Sequence, residues 1–567
     1  MSSQRTKRRK IAAVVQKIVE EASLSSYELV NEIFVENNNI DESSHEEFYD
    51  NNDWLARSND DSNNEEMEQL NPNKKSLNKD LGKWAVSYKI SHNALDSLLQ
   101  VLRKNGSDLP KDSRSLLHTK RKIETKYVAG DFIDEMQRFQ EVGVICDKTE
   151  KAYKIKLEAV ICDAPARSFV KCVKTHNEYN YCERCIQPGE LYQKIVLPDL
   201  SAPLRTNIDF LNQHDSEHHN AISPFTKLNY NMVSGFPIDY MHCICLGVVR
   251  RILNLLIRGP PSSRLSQNII AVISEKLAAL RLYISKEFSR KSRSLSKFRR
   301  WKATELRLFL VYTGPVVLKG LLLPNHYQNF IDLSVAVRIL LRSSLLKHYA
   351  GYAGQLLQYF VQTFEELYGR DQLVYNVHSL IHLADDAKHY GALDNCSSFK
   401  YESYRGQLKK LVRKAQSPCS QIAKRIFENA DFYTCQQIHS VGFSKLHTEG
   451  PVNITLSHYL QFKQYQNKKY FMSNSVGDNC FEICGKIGIV RNILKPTATN
   501  DNAYILFEAF AYKESFFKDP CDSQKLNIYM VERTDGLYEC LPLSDTVKKC
   551  LCLPYKNGFI VMPQLHY

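Results

Sequence analysis

The sequence lacks any run of 18 or more uninterrupted apolar residues, the length that a helix needs to cross a bilayer. Its apolar segment GVVRRILNLLIRG is broken by Arg250, Arg251 and Arg258. A signal peptide is also lacking, because the start MSSQRTKRRK is too highly charged to be one. These absences predict a soluble protein with no membrane partner.

The sixteen cysteines lack the spacing of a disulfide framework. We therefore expect a reducing compartment, in which most thiols are buried or free. At 567 residues, with 43% hydrophobic and 11% aromatic content, the chain is long enough for two to four globular domains, each with a core.

Charge is distributed unevenly along the chain. Residues 32–68 carry thirteen acids and one arginine, so the remainder of the chain carries a net charge of +25. Such a field attracts polyanions, of which nucleic acid is the commonest, although basic charge alone does not predict sequence readout. The segment RTKRRK, from Arg5 to Lys10, is typical of a nuclear import signal or a basic arm; a solvated helix start is the alternative.

The N-terminal third divides into three predicted segments. A basic arm or helix covers residues 1–30, and an acidic, Asn-rich, disordered linker covers residues 31–79. A small helical module of helix-turn-helix size follows over residues 80–125. Its second helix has Ser91 as N-cap, and its core face comprises Leu95, Leu98, Leu99 and Leu102. DNA binding and structural packing are both open for this module.

The segment KAYKIKLEAVICDAP predicts a strand from Tyr153 to Cys162 that ends at Asp163, before a turn at Pro165. In α/β folds, an acid at the carboxyl end of a buried strand often serves as a ligand group, because the strand holds it rigidly. A capping aspartate is the competing interpretation.

Nineteen residues beyond Asp163, Cys182 and Cys185 form a Cys-x-x-Cys pair that could place two thiolates on one zinc ion. One such pair among sixteen cysteines is close to chance, so two further ligands are required. His214 and His218 lie in a polar loop, where their spacing does not fix their geometry. The alternative pair, His378 and His382, lies in a helical pattern, and its i, i+4 spacing places both imidazoles on one face. We favour this pair.

Glu402 follows His382 by twenty residues, in SSFKYESYRGQLKKLVRKAQ. A carboxylate near a basic helix end suits a divalent metal close to a phosphate backbone; a solvated glutamate is the alternative. In GFPIDYMHCICLGVVRRIL, Asp239 and His242 could contact DNA or metal, but a buried turn before a helix fits better. Between Lys286 and Lys302, eight of seventeen residues are Lys or Arg, which predicts either phosphate contacts or a solvated face.

After about Val441, the pattern changes to short strands: KIGIVRNIL, AYILFEAFAY, LNIYMVER, GLYECLPL and GFIVMPQL. This pattern predicts a separate small β domain, barrel-like, over residues 441–567.

The order of these features, with the wording CDAPAR, CERC, RWKATELRLFLVYTGPVVLKG, YNVHSLIHLADD and YESYRGQLKKLVR, resembles the DDE transposases of the RNase H-like class. The resemblance is to the CACTA, Mirage and Chapaev group and its relatives, the Transib transposases and the V(D)J recombinase, and it runs from Leu81 to the C-terminus. It implies an α+β fold: an incomplete RNase H-like core over residues 126–440 with a helical insertion at about 240–375, between the helical module and the β domain.

Matched residue by residue, the resemblance makes Asp163 the second catalytic aspartate and Glu402 the catalytic glutamate. It makes Cys182, Cys185, His378 and His382 zinc ligands that attach the helical insertion to the core. It also implies Mg²⁺ at the acids in an active enzyme, transposon-end DNA as partner, nuclear localisation, and compatibility with a homo-oligomer.

One part of the family pattern is missing. The first catalytic aspartate belongs to a first strand of the RNase H sheet, and no such stretch precedes Lys154. Asp131 and Asp134 are the nearby substitutes, and both are typical of helix-start acids. Two carboxylates bind a pair of Mg²⁺ ions poorly. We therefore expect a transposon-derived DNA-binding protein without catalysis; the alternative is an active Mg²⁺-dependent transposase that uses a displaced acid.

Overall fold

The computed structural model describes residues 72–119, 128–146, 151–432, 442–452, 458–467, 469–497, 503–511, 513–534, 536–543 and 547–565. The predicted basic arm and most of the acidic linker lie outside the described residues. The chain forms two compact units: residues up to 126 together with 403–436, and residues 127–402 together with 437–567. Among the described helices, none has both the length and the apolarity that crossing a bilayer requires.

The smaller unit contains the predicted helical module. Its helices are α1 (Pro72–Ser87), α2 (His92–Lys104), α3 (Ser113–Leu116) and α16 (Pro418–Phe432). Ser91 is the N-cap of α2, as predicted: its hydroxyl accepts a hydrogen bond from the Ala94 amide at 3.1 Å. The predicted linker extends too far, because α1 already begins at Pro72, a residue whose fixed φ suits the first helical position.

In the larger unit, the segment before the insertion contains α4 (Val128–Glu141), α5 (Ala164–Lys171) and α6 (Asn207–Leu211). A π-helix, Met241–Val249, then leads into a long helical stretch, whose α-helices are α7 (Arg250–Arg258), α8 (Gln267–Leu280), α9 (Ala303–Leu308), α10 (Gly314–Leu318), α11 (Pro324–Leu341) and α12 (Ser343–Tyr368). The last helices of this part are α13 (Tyr375–His378), a 3-10 turn (Ser379–His382) and α14 (Leu383–Tyr390). The next helix, α15 (Phe399–Leu411), belongs to the larger unit up to Glu402 and to the smaller unit from Ser403 onward.

The helices pack closely where the π-helix meets α13. A Cβ atom on Gly247 would lie 2.6 Å from the Asn376 amide nitrogen, so this crossing requires a glycine. The contact fixes the π-helix, which follows Asp239 directly, against α13, which ends at His378. Two sequence segments about 130 residues apart are thereby held together at the base of the long helical stretch.

The predicted strand from Tyr153 to Cys162 is not formed. The described residues ahead of the C-terminal sheet form two short hairpins: β1 (Val144–Cys146) with β2 (Lys151–Tyr153), and β3 (Glu190–Tyr192) with β4 (Lys194–Val196). Residues 154–163 have no neighbouring strand and bond singly to other segments, as when the Val160 amide donates to the Gly235 carbonyl at 3.0 Å. An apolar strand pattern without a partner cannot form a ladder. The described residues therefore show no RNase H-like sheet.

The predicted C-terminal strands are present in one antiparallel sheet of eleven strands. The strands of this sheet are β5 (Gly442–His447), β6 (Tyr459–Gln466), β7 (Phe471–Ser473), β8 (Cys480–Ile483), β9 (Lys486–Pro496), β10 (Tyr504–Ala509), β11 (Glu514–Ser515), β12 (Tyr529–Val531), β13 (Glu539–Pro542), β14 (Lys548–Tyr555) and β15 (Gly558–Pro563). The five predicted segments correspond to β9, β10, β12, β13 and β15. Within the described residues, the pairing path runs from β11 to β13 without joining these two ends, so the sheet is open and not a barrel.

The sheet shares its core with the helices. One hydrophobic cluster contains Leu551 and Met562 from the sheet together with Phe330 and Phe360 from α11 and α12. The C-terminal strands therefore belong to the same compact unit as the helical insertion, whereas the sequence had predicted a separate domain.

Candidate metal centre

Four side chains predicted as zinc ligands meet at one point. The donor atoms of Cys182, Cys185, His378 and His382 all lie within 4.8 Å of one another, and all four residues are buried. Cys182 Sγ is 3.7 Å from His382 Nε2, Cys185 Sγ is 3.3 Å from His378 Nε2, and the two Nε2 atoms are 3.4 Å apart. The cysteines come from the loop after α5, and the histidines come from the helical run after α12.

These distances fit a tetrahedral ion. Zinc bonds of about 2.3 Å to sulfur and about 2.0 Å to nitrogen require separations of about 3.5 Å between sulfur and nitrogen and about 3.3 Å between two nitrogens. Two thiolates and two imidazoles form a closed donor set of the kind found in structural zinc sites. The residues present therefore fit zinc.

The cysteine protonation states also favour a cation at this point. Burial raises the pKa of the Cys182 thiol, but the hydrogen bond from Cys185 and the neighbouring His378 and His382 lower this pKa well below its ordinary value. The hydrogen bond to Cys182 and burial raise the pKa of Cys185. One thiolate is thus favoured by the protein itself, and coordination to a metal ion deprotonates a thiol outright.

Glu183, between the two cysteines, anchors the pair to α5. Its carboxylate accepts hydrogen bonds from Arg167 Nε at 2.7 Å and Lys171 Nζ at 2.8 Å, and all three side chains are buried. Burial raises the pKa of Glu183, but the two cations lower it to about 2. Burial lowers the pKa of Lys171 to about 8. Because α5 contributes both cations, its position is fixed relative to the metal centre.

Arg184, the other residue between the cysteines, anchors the pair to the segment after the histidines. Its guanidinium donates to both carboxylate oxygens of Asp386 in α14, at 2.8 and 3.0 Å, and to the carbonyl of Phe236 at 2.8 Å. Asp386 also accepts from the Ile238 amide at 2.7 Å. The segment GFPID, which ends at Asp239, is therefore held by Arg184 and Asp386.

Asp163 lies at the start of α5 and not at a strand end. It is the N-cap of this helix, and its Oδ1 accepts a hydrogen bond from the Ala166 amide at 3.0 Å. The capping interpretation of Asp163 is thus correct. Its carboxylate is half-exposed, and Arg167, one turn further along α5, connects this position to Glu183.

Asp239 is buried just before the π-helix, and His242, in the first turn of that helix, is half-buried; the sequence had favoured a buried turn for both. Asp239 is 2% exposed, and Oδ1 accepts hydrogen bonds from the amides of Ser398 and Met241 at 2.8 and 3.2 Å. Oδ2 is 2.5 Å from His242 Nδ1. Ser398 directly precedes α15, so Asp239 holds the start of the helix that carries Glu402.

The acids Asp163 and Glu402 share His242 as a neighbour. Burial lowers the pKa of His242, but the hydrogen bond and charge of Asp239 raise it, and so do the charges of Asp163 and Glu402; the net direction is upward. Glu402 is exposed in the first turn of α15. Two acids that are more than 200 residues apart therefore both contribute to the upward shift of the pKa of this imidazole.

The remaining sequence candidates lie elsewhere. His218 is buried, with Nδ1 2.7 Å from the Asn180 carbonyl, and His214 Nδ1 is 2.9 Å from exposed Asp209. Neither belongs to a metal cluster among the described residues. Asp131 and Asp134 both lie in α4. The buried partners Arg167, Lys171, Glu183, Arg184 and Asp386 were missed; the only sequence signal for them was that both residues between the cysteines are charged.

Comparison with known proteins adds one match. A family model described as a domain of unknown function (DUF8592) matches residues 446–564. The match covers most of the C-terminal sheet and contains neither the metal centre nor the two acids. The chain matches no curated protein, and it matches no solved structure.

Proposed function

We propose that this protein binds DNA, is related to the DDE transposases, and has lost strand cleavage. The observation that carries the proposal is the convergence of the four metal ligands, in which Cys182 and His382, 200 residues apart, approach within 3.7 Å. The charges of Asp163 and Glu402 also both raise the pKa of His242. The order of acid, cysteine pair, histidine pair and acid along the chain is the order that the resemblance implies.

Zinc would act as a structural ion in this protein. The cysteine pair precedes the helical insertion and the histidine pair follows α12, so one ion held by all four residues closes the base of the insertion. Bound zinc would supply four bonds at this junction, and its closed donor set leaves no position for substrate. Cleavage chemistry would have to come from the acids.

The acids are too few for that chemistry. A two-metal strand cleavage needs carboxylates that bridge two Mg²⁺ ions, and the resemblance supplies only Asp163 and Glu402. Asp239 is close, but it is almost fully buried and both of its oxygens accept hydrogen bonds within the turn. It therefore serves the fold and does not replace the missing first aspartate.

A second candidate is an active Mg²⁺-dependent transposase with a displaced acid. It is favoured by the contact of a third carboxylate, Asp239, with His242, whose pKa the charges of Asp163 and Glu402 also raise. This candidate requires Asp239 to release His242 and Ser398 when Mg²⁺ binds to Asp163 and Glu402.

One experiment separates the two candidates. Purified zinc-loaded protein is incubated with terminal repeat DNA, and with plasmid DNA, in Mg²⁺ or Mn²⁺, alongside Asp163→Ala and Asp239→Asn. We expect salt-sensitive DNA binding by all three proteins and no cleavage by any. Cleavage by the wild type that Asp163→Ala abolishes would establish the active candidate, and failure of the wild type to bind duplex DNA would refute DNA binding altogether.

Nuclear localisation is part of the same proposal. It depends on the basic segment from Arg5 to Lys10, which lies outside the described residues. A fluorescent fusion in which the four Lys and Arg residues from Lys7 to Lys10 are changed to Gln is expected to lose nuclear accumulation, whereas the unchanged fusion retains it. Equal distribution of both fusions would contradict this import signal.

A further inference from the structure

The basic segment Lys286–Lys302 separates into two groups of cations. Lys291 Nζ donates to the Ser285 carbonyl at 3.0 Å, and Arg293 Nη2 donates to the Arg300 carbonyl and to Glu305, both at 2.7 Å, so these two side chains hold the segment together. The other six cations are exposed: Lys286, Arg290, Lys297, Arg299, Arg300 and Lys302. We call these six side chains the basic strip.

The acids next to the basic strip are engaged in internal contacts. Glu287, the one acid within Lys286–Lys302, accepts from Lys549 Nζ at 2.7 Å and from the Phe471 amide at 2.8 Å. Asp478 accepts from Lys549 at 2.7 Å and from the Lys286 amide at 2.9 Å. Glu305 is 3% exposed beneath Arg293. The negative charges therefore face inward, and the outward field of the strip is positive.

The backbone beneath the basic strip is fixed by buried apolar side chains. Leu295, Phe298 and Trp301 are each at most 4% exposed, and the Trp301 ring lies 5.5 Å from that of Phe309 in the insertion core. Residues 295–300 form a 3-10 helix with Ser294 as its N-cap. Binding through the strip therefore needs little ordering of the backbone, which lowers the entropic cost of association.

The C-terminal sheet braces this segment. Lys549, whose side chain is fully buried, connects β14 to Glu287, and Ser285 Oγ donates to Gln564 at 2.9 Å. Asp478 lies in the loop before β8. All three sheet residues fall within the part that matches the domain of unknown function. This domain thus supplies the contacts that fix the backbone near Ser285 and Lys286, at the start of the basic segment.

We propose that the basic strip binds the phosphodiester backbone of duplex DNA, with the C-terminal domain as its support. The inference rests on the proposed function and names its contact surface. Four of the cations lie between residues 297 and 302, a span of about 10 Å at a 3-10 rise, over which duplex DNA presents about six phosphate charges. Among the aromatic residues between Lys286 and Lys302, Phe298 and Trp301 are buried and Phe288 is half-buried. The segment therefore presents no fully exposed aromatic anchor to a lipid surface.

The test compares two triple variants of the full chain. In the first, Lys297, Arg299 and Arg300 are each changed to Gln; in the control, three exposed lysines of the C-terminal part, Lys513, Lys518 and Lys525, are changed to Gln. Both variants lose three positive charges at exposed positions. Binding to a random-sequence 30-base-pair duplex is measured between 50 and 300 mM salt, with a poly-glutamate peptide as the competing polyanion.

We expect the strip variant to lose about 10²-fold in affinity at 0.1 M salt and to reduce the slope of log K against log salt by about 3, because each phosphate contact contributes about 0.9 to that slope. The control is expected to change by less than about threefold. Equal loss in both variants, with a wild type that binds, overturns the strip and leaves DNA binding intact. A wild type that does not bind the duplex refutes the proposed function itself, and strip-dependent binding of poly-glutamate in place of DNA assigns the surface to an acidic protein partner.

Discussion

The metal centre and the acid site lie in the same unit of this protein, yet they are built in opposite ways. The metal centre has all four of its donors, each buried, and its intervening residues Glu183 and Arg184 are held by buried ion pairs. The acid site has two half-exposed or exposed carboxylates, Asp163 and Glu402, and a neighbouring acid that is used within a turn. The metal centre has the complete donor set of a structural zinc site, whereas the acid site lacks the third carboxylate that strand cleavage requires.

The two centres share the residues that position them, although only one of the two is complete. The residues that position Asp163 and Glu402 are the same ones that hold the metal centre and the Asp239 turn: Arg167 on α5, and Ser398 before α15. The interactions that hold the metal centre therefore also fix the positions of the two acids, whether or not the acids have a chemical role. Substitutions at the two centres should accordingly differ strongly in their effect on stability.

The largest effect is expected from a metal ligand. Cys185→Ser should reduce the zinc content from about one ion per chain and destabilise the larger unit by on the order of 5 kcal/mol or more, because binding energy at a structural zinc site is folding energy. Metal analysis and urea unfolding provide the readouts. Cys484→Ser, at an exposed cysteine, is the matched control and should change neither. Unchanged zinc content in Cys185→Ser would remove this residue from the ligand set.

Glu183→Gln is expected to have the next largest effect. It leaves Arg167 and Lys171 buried without their carboxylate, and breaking one side of a buried ion pair costs about 3–5 kcal/mol. Urea unfolding at saturating zinc isolates this contribution from metal loss. Glu178→Gln, which removes an exposed i, i+4 pair with Lys174, should cost about 0.5 kcal/mol or less. Similar costs for both variants would mean that the network around Glu183 is not a structural anchor.

The metal ligands could be predicted because their signal is local. Cys182 and Cys185 are three positions apart in one loop, and His378 and His382 are four positions apart in a helical pattern. Each pair has a recognisable spacing, and the two pairs together make up a four-ligand set. The ion pairs around them could not be predicted. Arg184 is the ion-pair partner of Asp386, which is 202 positions away. No local sequence pattern identifies such a partner, because the pairing depends on which segments the fold brings together.

The predicted strand from Tyr153 to Cys162 failed for a related reason. Its β-branched, apolar pattern is compatible with a place in a sheet. A strand also needs a second strand with which to form hydrogen bonds. Five of the C-terminal strands were predicted correctly because hairpin partners follow one another along the chain, as β9 and β10 do. The packing of this sheet on the helices could not be predicted. Apolar periodicity shows that one face of a sheet is buried, but it does not identify the element that covers that face.

Two histidines extend the comparison to pH. Near the metal centre, burial and the charges of Arg205 and Lys171 lower the pKa of His218 to about 3. Near the acids, the pKa of His242 is raised. A histidine whose pKa is lowered in the folded protein destabilises the fold as the pH falls below the pKa of the unfolded chain, about 6.5. A histidine whose pKa is raised in the folded protein stabilises the fold below about pH 6.5. That stabilisation is lost as the pH rises through the folded-state pKa.

We therefore expect opposite effects from His218→Asn and His242→Asn. Between pH 6.5 and pH 5, His218 should remove about 2 kcal/mol of stability from the wild type, at 1.36 kcal/mol per pKa unit, and His218→Asn should abolish that part of the slope. His242→Asn should instead destabilise the protein more at pH 5 than at pH 8. Urea unfolding of zinc-loaded protein at pH 5, 6.5 and 8 provides the measurement. Slopes of the same sign for both variants would contradict the electrostatic contrast between the two centres.

The smallest effect is expected at the acid that most resembles a catalytic residue. If Asp163 acts only as the N-cap of α5, Asp163→Ala should cost about 1 kcal/mol and Asp163→Asn a few tenths, because asparagine caps a helix about as well as aspartate. Zinc content should stay unchanged in both variants. If Asp163 instead repels Asp239 and Glu402 as part of a cation-binding group of acids, Asp163→Asn should stabilise the protein in the absence of divalent ions. Mg²⁺ should then stabilise the wild type more than this variant. Unfolding with and without 10 mM Mg²⁺ distinguishes a carboxylate that serves the helix from one that still binds a cation.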